Sequence, residues 1–547
     1  MKLIDIVIHK IILLSNICLC SEISLIRKTE SGFIRGKLKT SEVNKDVQFA
    51  SFIVPFAEPP VGKLRFQEPK RPKPWVGVKN TTAYVNGCAQ INEDTFEVVG
   101  SEDCLYLEVS EPLTSRNHQQ IMPVFVYIHG GTFITGSLRE SDSTYFMEKP
   151  IVMVSVQYRL NVFGFLTTGD HYAIGNVGLR DLQFALEWVQ RNIKNFAGDP
   201  SRVTIGGYSA GSSAVHYLLL SPKSQKLFQR VINQSGTTLN RWSLQRDPFT
   251  KTKQLANALG FYSKNNSEMI LNLQNVDYRL LIKQSFNVSV VGPFMYNYMV
   301  PFGPIIEPKS KSAFIDESTY SILEKGNFPN IPVLTGHLTL EGTAFYDYIL
   351  RGIVDLNIFE THPELIIPIS LNVPDYSICK TLVPELIRQK YYNNGSLANK
   401  VNWLKFASQD LFVQGLSKAA SFISKKSNVY YYVFSFIDSS ANSYFGVTNH
   451  GDELAYLFYK RGTMETPGEK RMQKAMVSLW SNFIITGNPT PKPDHLFQNV
   501  IWPRFKENSL YLNIDANFTV KENPDQSDVN FWNYMFEICG FPPYYTY

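Results

Sequence analysis

Short runs of apolar residues recur along the chain, and turn-forming residues bound most of them. Six of these runs are rich in β-branched and aromatic residues and are too short to be buried helices. Because their apolar residues are continuous rather than alternating, we expect strands that are buried on both faces. The six runs span residues 123–128, 151–156, 203–205, 231–233, 331–335 and 429–436.

Segments with helical periodicity lie between these strands. Residues 178–196 carry apolar side chains three and four positions apart, and residues 468–485 also read as a helix. This alternation predicts an α/β fold, with a mostly parallel central sheet and helices on both faces. Two connections, 237–330 and 342–428, are too long for simple crossovers, so we expect them to form a lid or a deep gorge over the ligand-binding edge of the sheet.

The rest of the composition points to one large soluble domain. No linker rich in proline, glycine or serine and no internal repeat divides the chain, so residues 21–547 are expected to form a single domain. The formal net charge of +5 is small for 547 residues and the lysines are scattered, so nothing favours nucleic acid or an anionic membrane as a partner.

The N-terminus has the pattern of a signal peptide. Lys2 and Lys10 flank a short apolar stretch, and the apolar residues 11–20 end in small residues before the polar Ser21 and Glu22. This pattern predicts cleavage near Cys20 and an exported protein. No later segment and no C-terminal hydrophobic tail predicts a membrane anchor. Asn233 belongs to a predicted strand and is expected to be buried and unglycosylated. Export also agrees with the number of Asn-x-Ser/Thr glycosylation sequons, of which Asn233 is one. The six sequons are at Asn80, Asn233, Asn265, Asn287, Asn394 and Asn517.

Four of the six cysteines remain after removal of residues 1–20. Cys88 and Cys104 enclose a loop of about fifteen residues, and in an oxidising compartment this pair predicts a disulfide that contributes on the order of 3 kcal/mol. Cys379 and Cys539 could pair across the fold or remain as two buried thiols, and the sequence alone leaves both open. No cysteine or histidine cluster has zinc spacing, so no metal site is expected.

One segment carries specific chemistry. Residues 203–212, Val-Thr-Ile-Gly-Gly-Tyr-Ser-Ala-Gly-Ser, place Ser209 between Gly207 and Gly211, where a predicted strand meets a helix-like stretch. This pattern is typical of a nucleophile elbow, a sharp turn that exposes a serine hydroxyl. A helix that begins at Ala210 would direct its unpaired N–H groups at an oxyanion beside Ser209. The pattern also arises by chance, but the flanking strand and helix favour the elbow.

A second glycine-rich segment follows the predicted strand 123–128. Residues 127–133, Tyr-Ile-His-Gly-Gly-Thr-Phe, resemble the His-Gly-Gly loop of lipases and esterases, whose backbone N–H groups complete an oxyanion hole. Such donors stabilise the negative charge that builds on a carbonyl oxygen during acyl transfer. An ordinary glycine turn is the alternative, and the position of the segment ahead of the elbow disfavours it.

Further motifs occur in a fixed order through nearly all of the chain after residue 20. They are Phe-Ala-Glu-Pro-Pro-Val-Gly-Lys-Leu-Arg-Phe at 56–66, Ser-Glu-Asp-Cys-Leu-Tyr-Leu at 101–107, and Gly-Asn-Val-Gly-Leu-Arg-Asp at 175–181 with Gly-Asp-Pro at 198–200. Together they resemble the type-B carboxylesterases, the cholinesterase-like branch of the α/β-hydrolases, and most of all the secreted insect esterases. The resemblance implies an α/β-hydrolase fold, a small-molecule ester as substrate, and no cofactor.

The resemblance also supplies the remaining members of a catalytic triad. Glu341, in Thr-Leu-Glu-Gly-Thr, matches the acid of the family, and His450, in Gly-Val-Thr-Asn-His-Gly-Asp-Glu-Leu, matches its base. His450 would take the proton of Ser209 and return it to the leaving alkoxide, while Glu341 would fix the tautomer of the imidazole. Taken alone, a glutamate after a strand is usually a cap or a surface residue, and a lone histidine is usually structural.

Three positions depart from the pattern of the family. The implied oxyanion donors are the N–H groups of Gly131, Thr132 and Ala210, but Thr132 stands where a third glycine is usual and its side chain would crowd the acyl side. The spacing within 446–450 is one residue longer than the common Gly-x-x-His. Tyr208 replaces a glutamate that often precedes the serine, which removes a negative charge beside the site.

The sequence therefore predicts a secreted serine hydrolase of carboxylic esters. Cholinesterases bind a quaternary ammonium on a tryptophan in the loop that corresponds to residues 88–104, and here that loop holds only one aromatic residue, Phe96. Neutral hydrophobic esters are therefore the expected substrates, as in detoxification or in hormone or odorant turnover. The alternative is a catalytically inactive adhesion protein that binds a partner through the same fold.

Overall fold

An eleven-stranded sheet runs through the part of the chain that the computed structural model describes. The described residues are 25–113, 121–290, 302–438, 444–506 and 508–547, so the predicted signal peptide at 1–20 lies outside them. In chain order the strands are β1 (Ile26–Thr29), β2 (Gly32–Arg35), β3 (Lys37–Thr40), β4 (Gln48–Pro55), β5 (Val78–Asn80), β6 (Gln90–Ile91), β7 (Val98–Val99), β8 (Tyr106–Pro112), β9 (Met122–Ile128), β10 (Val152–Val156), β11 (Thr167–Asp170), β12 (Ala173–Ile174), β13 (Gly198–Tyr208), β14 (Arg230–Gln234), β15 (Val333–Leu338), β16 (Val429–Phe434), β17 (Leu510–Ile514) and β18 (Thr519–Glu522).

The strand order across the sheet is β18-β17-β16-β15-β14-β13-β9-β10-β8-β4-β3. Every neighbouring pair from β17 to β10 in this order is parallel. Antiparallel strands extend both edges, with β18 beside β17, and with β8, β4 and β3 beyond β10. The prediction of a mostly parallel central sheet is confirmed, and the six predicted strands are β9, β10, β13, β14, β15 and β16.

Two of the predicted bounds need correction. The strand predicted at 203–205 extends over Gly198–Tyr208, because its polar first half pairs as far back as Gly198 with Met122 of β9. The strand predicted at 331–335 is shifted to Val333–Leu338, where its parallel pairing with β16 continues through Gly336 and His337. In both cases strand pairing extends past the apolar run that the prediction followed.

Helices cover both faces of the sheet, as predicted. The helix predicted at 178–196 is α2, which continues into a 3₁₀ turn over Ile193–Phe196, and the helix predicted at 468–485 is α13. In chain order the helices are α1 (Asn161–Phe165), α2 (Val177–Asn192), α3 (Ala210–Leu220), α4 (Pro248–Ala258), α5 (Asn266–Asn275), α6 (Tyr278–Val290), α7 (Thr319–Glu324), α8 (Tyr346–Leu350), α9 (Ile358–Thr361), α10 (Cys379–Tyr392), α11 (Lys400–Ser408), α12 (Gln414–Ser424), α13 (Pro467–Thr486) and α14 (Gln526–Cys539).

Alternate residues of β9 face opposite sides of the sheet, since successive side chains of a strand point in opposite directions. Val124, Val126 and Ile128 pack in the core layer that includes the buried side chains of α2 and α3. Phe125 and Tyr127 pack in the layer that includes α13. A strand with helices on both sides needs apolar residues at every position, which explains the continuous run in the sequence.

The two long connections carry most of the remaining helices. Helices α4 to α7 lie between β14 and β15, and α8 to α12 lie between β15 and β16. Both connections leave from the carboxyl ends of parallel strands, the edge at which open α/β sheets bind ligands. Among the helices that the structure describes, none is long and apolar enough to cross a membrane.

Two disulfides tie outer segments together. Cys88 and Cys104 are bridged, with their Cα atoms 4.9 Å apart, as the sequence predicted. Cys379 and Cys539 are also bridged, with Cα atoms 5.7 Å apart, so the alternative of two buried thiols is excluded in this structure. The second bridge joins the first residue of α10 to the last residue of α14.

Candidate active site

Ser209 lies at the turn between β13 and α3. Its backbone torsions are φ 55° and ψ −123°, a positive-φ conformation that residues with a side chain rarely adopt. Its N–H donates to the carbonyl of Gln234 (2.8 Å), and its carbonyl accepts from Ser213 (3.0 Å) in the first turn of α3. The turn is therefore held by the neighbouring strand on one side and by the helix on the other.

The two glycines around Ser209 permit this turn to approach β9. A Cβ atom on Gly211 would lie 2.2 Å from the carbonyl oxygen of Ile128 and 2.4 Å from that of His129. A Cβ atom on Gly207 would lie 2.5 Å from the backbone of Gly211. The obstructing atoms are backbone atoms that cannot rotate away, so both positions require glycine.

The segment after β9 folds into a tight loop beside the serine. Gly131 has φ 93°, Thr132 φ 51° and Phe133 φ 61°, so three successive residues lie in the left-handed region. The Gly131 carbonyl accepts from the N–H groups of Ile134 (2.8 Å) and Thr135 (2.9 Å), which closes the loop. A left-handed conformation is costly for a β-branched residue, so Thr132 is strained where the family usually has glycine.

The predicted oxyanion donors belong to these two turns, Gly131 and Thr132 to the loop and Ala210 to the start of α3. Among the described residues, the N–H groups of Gly131, Thr132 and Ala210 donate to no protein acceptor. The Gly130 position lies against Tyr208 and Ser209, since a Cβ added there would be 3.2 Å from the Ser209 side chain. The loop and the start of α3 therefore border the same space beside the serine hydroxyl.

Glu341 and His450 are joined directly. Nδ1 of His450 donates to Oε2 of the Glu341 carboxylate, whose other oxygen accepts from Ser235 Oγ (2.6 Å) and from the Leu338 N–H (2.7 Å). Glu341 is completely buried. Burial would raise the pKa of Glu341, but the charge on His450 and these hydrogen bonds together hold it below its ordinary value. The acid is therefore an anion at neutral pH.

Paired loops hold the acid and the histidine in register. The Leu340 N–H donates to the Thr448 carbonyl (3.0 Å), and the Thr339 and Thr448 hydroxyls are 2.9 Å apart. The His450 N–H donates to Thr343 Oγ1 (3.0 Å). These contacts hold the loop of Glu341 against the loop of His450.

The histidine lies next to the serine turn. The ring of Tyr208, which directly precedes Ser209, lies 4.7 Å from the His450 ring, and Phe412 lies at the same distance. A Cβ atom on Gly451 would lie 2.6 Å from the Tyr208 hydroxyl. Ser209, Glu341 and His450 are thus brought to one place after β13, β15 and β16.

Aromatic rings form a continuous wall around this place. Phe412 also contacts Trp242, with ring centroids 5.8 Å apart, and Trp242 contacts Phe133 of the glycine-rich loop at 6.5 Å. Phe412 belongs to a π-helical turn over Gln409–Val413, a local widening that is common at functional sites. Within that turn the Leu411 carbonyl accepts from Trp242 Nε1, and the carbonyls of Leu411 and Phe412 accept from the Asn240 side chain.

A buried carboxyl group lies behind the tyrosine. Glu453 is fully buried, and its Oε1 accepts from the Gln234 side chain (3.2 Å), while Oε2 has no hydrogen-bond partner among the described residues. Burial, reinforced by the negative charge of Glu341, raises the pKa of Glu453 to about 8. Glu453 is therefore mostly uncharged at neutral pH.

A family comparison agrees with this arrangement. The model of the family described as "Carboxylesterase family" matches residues 24–532. The chain belongs to the carboxylesterase family. It is accordingly a carboxylic ester hydrolase, and the sequence-based resemblance is confirmed.

Several carboxylesterase-like proteins are similar to most of the chain. Venom carboxylesterase-6 of Apis mellifera is 32% identical over 92% of this chain and 93% of its own length. Neuroligin-2 of Mus musculus is 28% identical over 91% of this chain and 66% of its own length. The crystal structure of juvenile hormone esterase from Manduca sexta, with OTFP covalently attached, superposes with a TM-score of 0.84 at 24% identity and covers 94% of this chain and 99% of that chain. The fold prediction of an α/β-hydrolase is thereby confirmed.

Sequence reasoning missed several residues of this carboxylesterase site. Ser235 and Thr343 each make a hydrogen bond to a triad candidate, and Trp242 and Phe412 form the wall. Ser235 follows β14 at the carboxyl edge of the sheet, so its place after a buried strand was a usable indication. Phe412 lies far inside the second long connection, where no local pattern marks it.

Proposed function

We propose that the chain hydrolyses carboxylic esters through an acyl-enzyme formed on Ser209, with His450 as general base and Glu341 as its orienting partner. The observation that carries the proposal is the direct hydrogen bond from His450 Nδ1 to the buried Glu341, beside the serine of the strand-to-helix turn. Because Nδ1 donates to Glu341, Nε2 is the nitrogen that can accept a proton from serine.

Acylation follows from these roles. Ser209 Oγ attacks the ester carbonyl carbon while His450 Nε2 takes its proton, and the carbonyl oxygen becomes an oxyanion. The imidazolium then gives this proton to the departing alkoxide as the carbon–oxygen bond breaks, which leaves an acyl-serine. Water attacks that ester by the same route in reverse and regenerates Ser209. Glu341 stays ionised and stabilises the imidazolium in both halves.

Backbone N–H groups of Gly131, Thr132 and Ala210 would stabilise the oxyanion. They have no acceptor within the described part of the protein, and α3 adds the positive end of its dipole at Ala210. Loss of one such preorganised donor typically costs about 3 kcal/mol of transition-state stabilisation. The strain in the glycine-rich loop is consistent with donors that are fixed before substrate binds.

The surroundings of the histidine favour neutral, hydrophobic esters. Tyr208, Phe412 and Trp242 place aromatic surface near the reacting atoms. The nearby carboxyl group of Glu453 is mostly protonated at neutral pH, so it supplies little attraction for a cation. A cavity of about 110 Å³ opens between the disulfide-bridged loop, the segment at Ile134 and Thr135, and the turn after Glu341.

A binding-only role is the alternative, and neuroligin-2 shows similarity over most of the chain. The alternative predicts decay of the reactive groups, because a protein that only binds gains nothing from them. Here Ser209, Glu341 and His450 are all retained, and the last two are hydrogen-bonded. Hydrolysis is therefore the better-supported function.

Export is part of the proposal. The signal-peptide pattern at 1–20, two disulfides and exposed sequons all suit an oxidising, extracellular compartment. Asn233 is the exception, because it is buried and donates to the Ser212 carbonyl (2.7 Å), where no glycan fits. The other sequons lie on exposed residues, namely Asn80, Asn265, Asn287, Asn394 and Asn517.

Covalent labelling tests the proposed function. An organophosphate should add one phosphoryl group to the peptide that contains Ser209, and Ser209→Ala should abolish the label and lower kcat by about six orders of magnitude. Ser213→Ala is the matched control, because this buried hydroxyl on the same helix has no hydrogen-bond partner among the described residues. Label on another residue, or near-normal turnover by Ser209→Ala, would refute the assignment.

A further inference from the structure

A second histidine–carboxylate pair lies beneath the proposed acid. His337, near the end of β15, is buried. Its Nε2 lies 3.1 Å from Oδ2 of Asp525, the residue that precedes α14, at ion-pair distance but without the alignment of a hydrogen bond. We propose that this pair positions Glu341 and supports its negative charge, a role that rests on the proposed function of Glu341. None of the family motifs in the sequence points to these two residues.

Hydrogen bonds connect the pair to both loops of the site. The other ring nitrogen of His337, Nδ1, lies 3.0 Å from the Leu338 carbonyl, to which it donates, and the Leu338 N–H donates to Glu341 Oε1 (2.7 Å). The Leu338 carbonyl and the Thr339 N–H belong to the same peptide group, and that N–H donates to Thr448 Oγ1 (3.1 Å). The His337 ring thus fixes the backbone that holds Glu341 and that contacts the loop of the catalytic histidine.

The charge on His337 depends on Asp525. Burial alone would lower the pKa of His337, but the nearby Asp525 carboxylate, the carbonyl of Leu338 and the charge of Glu341 raise it above its ordinary value. Asp525 in turn has a lowered pKa because His337 and the Gln409 side chain outweigh its burial. In this pair each group therefore favours the charged form of the other.

Two tyrosines that interact with the pair are uncharged at neutral pH. The Tyr431 ring lies 5.8 Å from that of His337, and burial raises the pKa of Tyr431 far above neutrality. Tyr511 also interacts with Asp525, and its pKa is raised as well. The charges that act on His337 are therefore those of Asp525 and Glu341, with His450 bonded to the latter.

This arrangement predicts an ordered set of pH effects. His337→Gln removes the partner of the Asp525 anion, and the added negative charge near Glu341 favours protonation of the catalytic histidine. The acidic limb of the pH profile, where kcat/KM falls because that histidine is protonated, should therefore move to higher pH by about 0.5–1 unit. Asp525→Asn lets the buried His337 lose its proton, so both charges disappear and the limb should move less. The double variant should also move less than His337→Gln alone, because it too leaves no net charge.

The experiment measures kcat/KM from pH 5 to 9, with active sites counted by organophosphate titration. Asp525→Glu keeps the carboxylate and should retain the wild-type limb. His362→Gln is the matched control, since His362 and Glu364 form an exposed pair at 3.3 Å. If His337→Gln and the double variant lose the same share of kcat/KM and keep the acidic limb of the wild type, His337 has only a structural role. That result would overturn the proposal.

A measurement without turnover separates this inference from the proposed function. In ¹⁵N-histidine-labelled Ser209→Ala protein, NMR should show one histidine whose pKa lies above the ordinary value. Its signal should disappear in His337→Gln, and the pKa should fall in Asp525→Asn. A neutral His337 at pH 6.5 in the parent would overturn the pair's electrostatic role even if His337→Gln fails to fold. If Ser209→Ala instead retains turnover, the proposed function fails while this result on His337 still holds.

Discussion

His450 uses its two ring nitrogens for different tasks. Nδ1 donates to a carboxylate that has two further hydrogen-bond donors, so Glu341 is fixed on both oxygens. Such an orienting partner sets the tautomer and leaves Nε2 as the acceptor. The side chain retains 8% exposure, enough to face a substrate.

The first prediction concerns His450. Below the pH at which the imidazole protonates, Nε2 cannot accept the serine proton, so kcat/KM should fall on the acidic side. His450→Gln should lose several orders of magnitude in kcat, and its residual activity should lack this limb. Rate profiles from pH 5 to 9 test this. If the limb persists unchanged in the variant, another group titrates.

The second prediction concerns Glu453, whose pKa is raised from 4.5 to about 8. Between these values the unfolded chain releases the proton and the folded protein keeps it, so rising pH favours unfolding. The penalty grows by about 1.4 kcal/mol per pH unit at most. Glu453→Gln removes this ionisation. The Tm of the variant minus the Tm of the wild type should therefore be larger at pH 8 than at pH 5. The raised pKa of Glu453 would be contradicted if this Tm difference were equal at both pH values. It would also be contradicted if the exposed control Glu522→Gln showed the same increase in Tm difference.

At the scale of elements, the serine turn depends on the close approach of β9, β13 and α3. The third prediction is that Gly211→Ala lowers both Tm and kcat/KM, because its Cβ would collide with two backbone carbonyls at 2.2 and 2.4 Å. We expect a loss of at least tenfold in kcat/KM, measured with Ser213→Ala on the same helix as the control. A Gly211→Ala enzyme as stable and active as that control would show that the turn tolerates a side chain.

The same elements show what the sequence could predict. Parallel strands buried on both faces leave continuous apolar runs, so β9, β10, β14 and β16 were found within two residues of their observed bounds. The edge strands β3 and β18 are mostly exposed and leave no such run, and they were missed. Pairing with a neighbour defines these strands, and pairing is not a local property.

The site divides in a similar way. Ser209 was predictable from local chemistry, because two glycines and a strand-to-helix change surround it in sequence. Glu341 and His450 carry no such local pattern and were named through the family resemblance. Trp242 and Phe412 were not predicted, since their contacts form only when the two long connections fold over the sheet.

At the scale of the whole molecule, the parallel sheet brings distant segments to one edge. The serine, the acid and the histidine follow three different strands, and the long connections surround them with aromatic rings. The charged groups that line the cavity include Arg351, which lies 3.2 Å from Asp94 and donates to the Glu93 carbonyl. Charged groups thus line the cavity, while aromatic rings lie near the reacting atoms.

The fourth prediction follows from this distribution. Neutral aliphatic or aryl esters should be hydrolysed with higher kcat/KM than acetylcholine or butyrylcholine. Burial of each methylene contributes about 0.8 kcal/mol, while the loop of residues 88–104 holds no tryptophan to bind an ammonium and Glu453 is mostly uncharged at neutral pH. The measurement compares each choline ester with its neutral carbon isostere, so that size and acyl group are matched. A tenfold preference for the choline ester would reveal about 1.4 kcal/mol of cation-specific transition-state binding. Such a preference, lost in Glu453→Gln, would mean that this carboxyl group is ionised in the enzyme–substrate complex and that the aromatic wall binds cations.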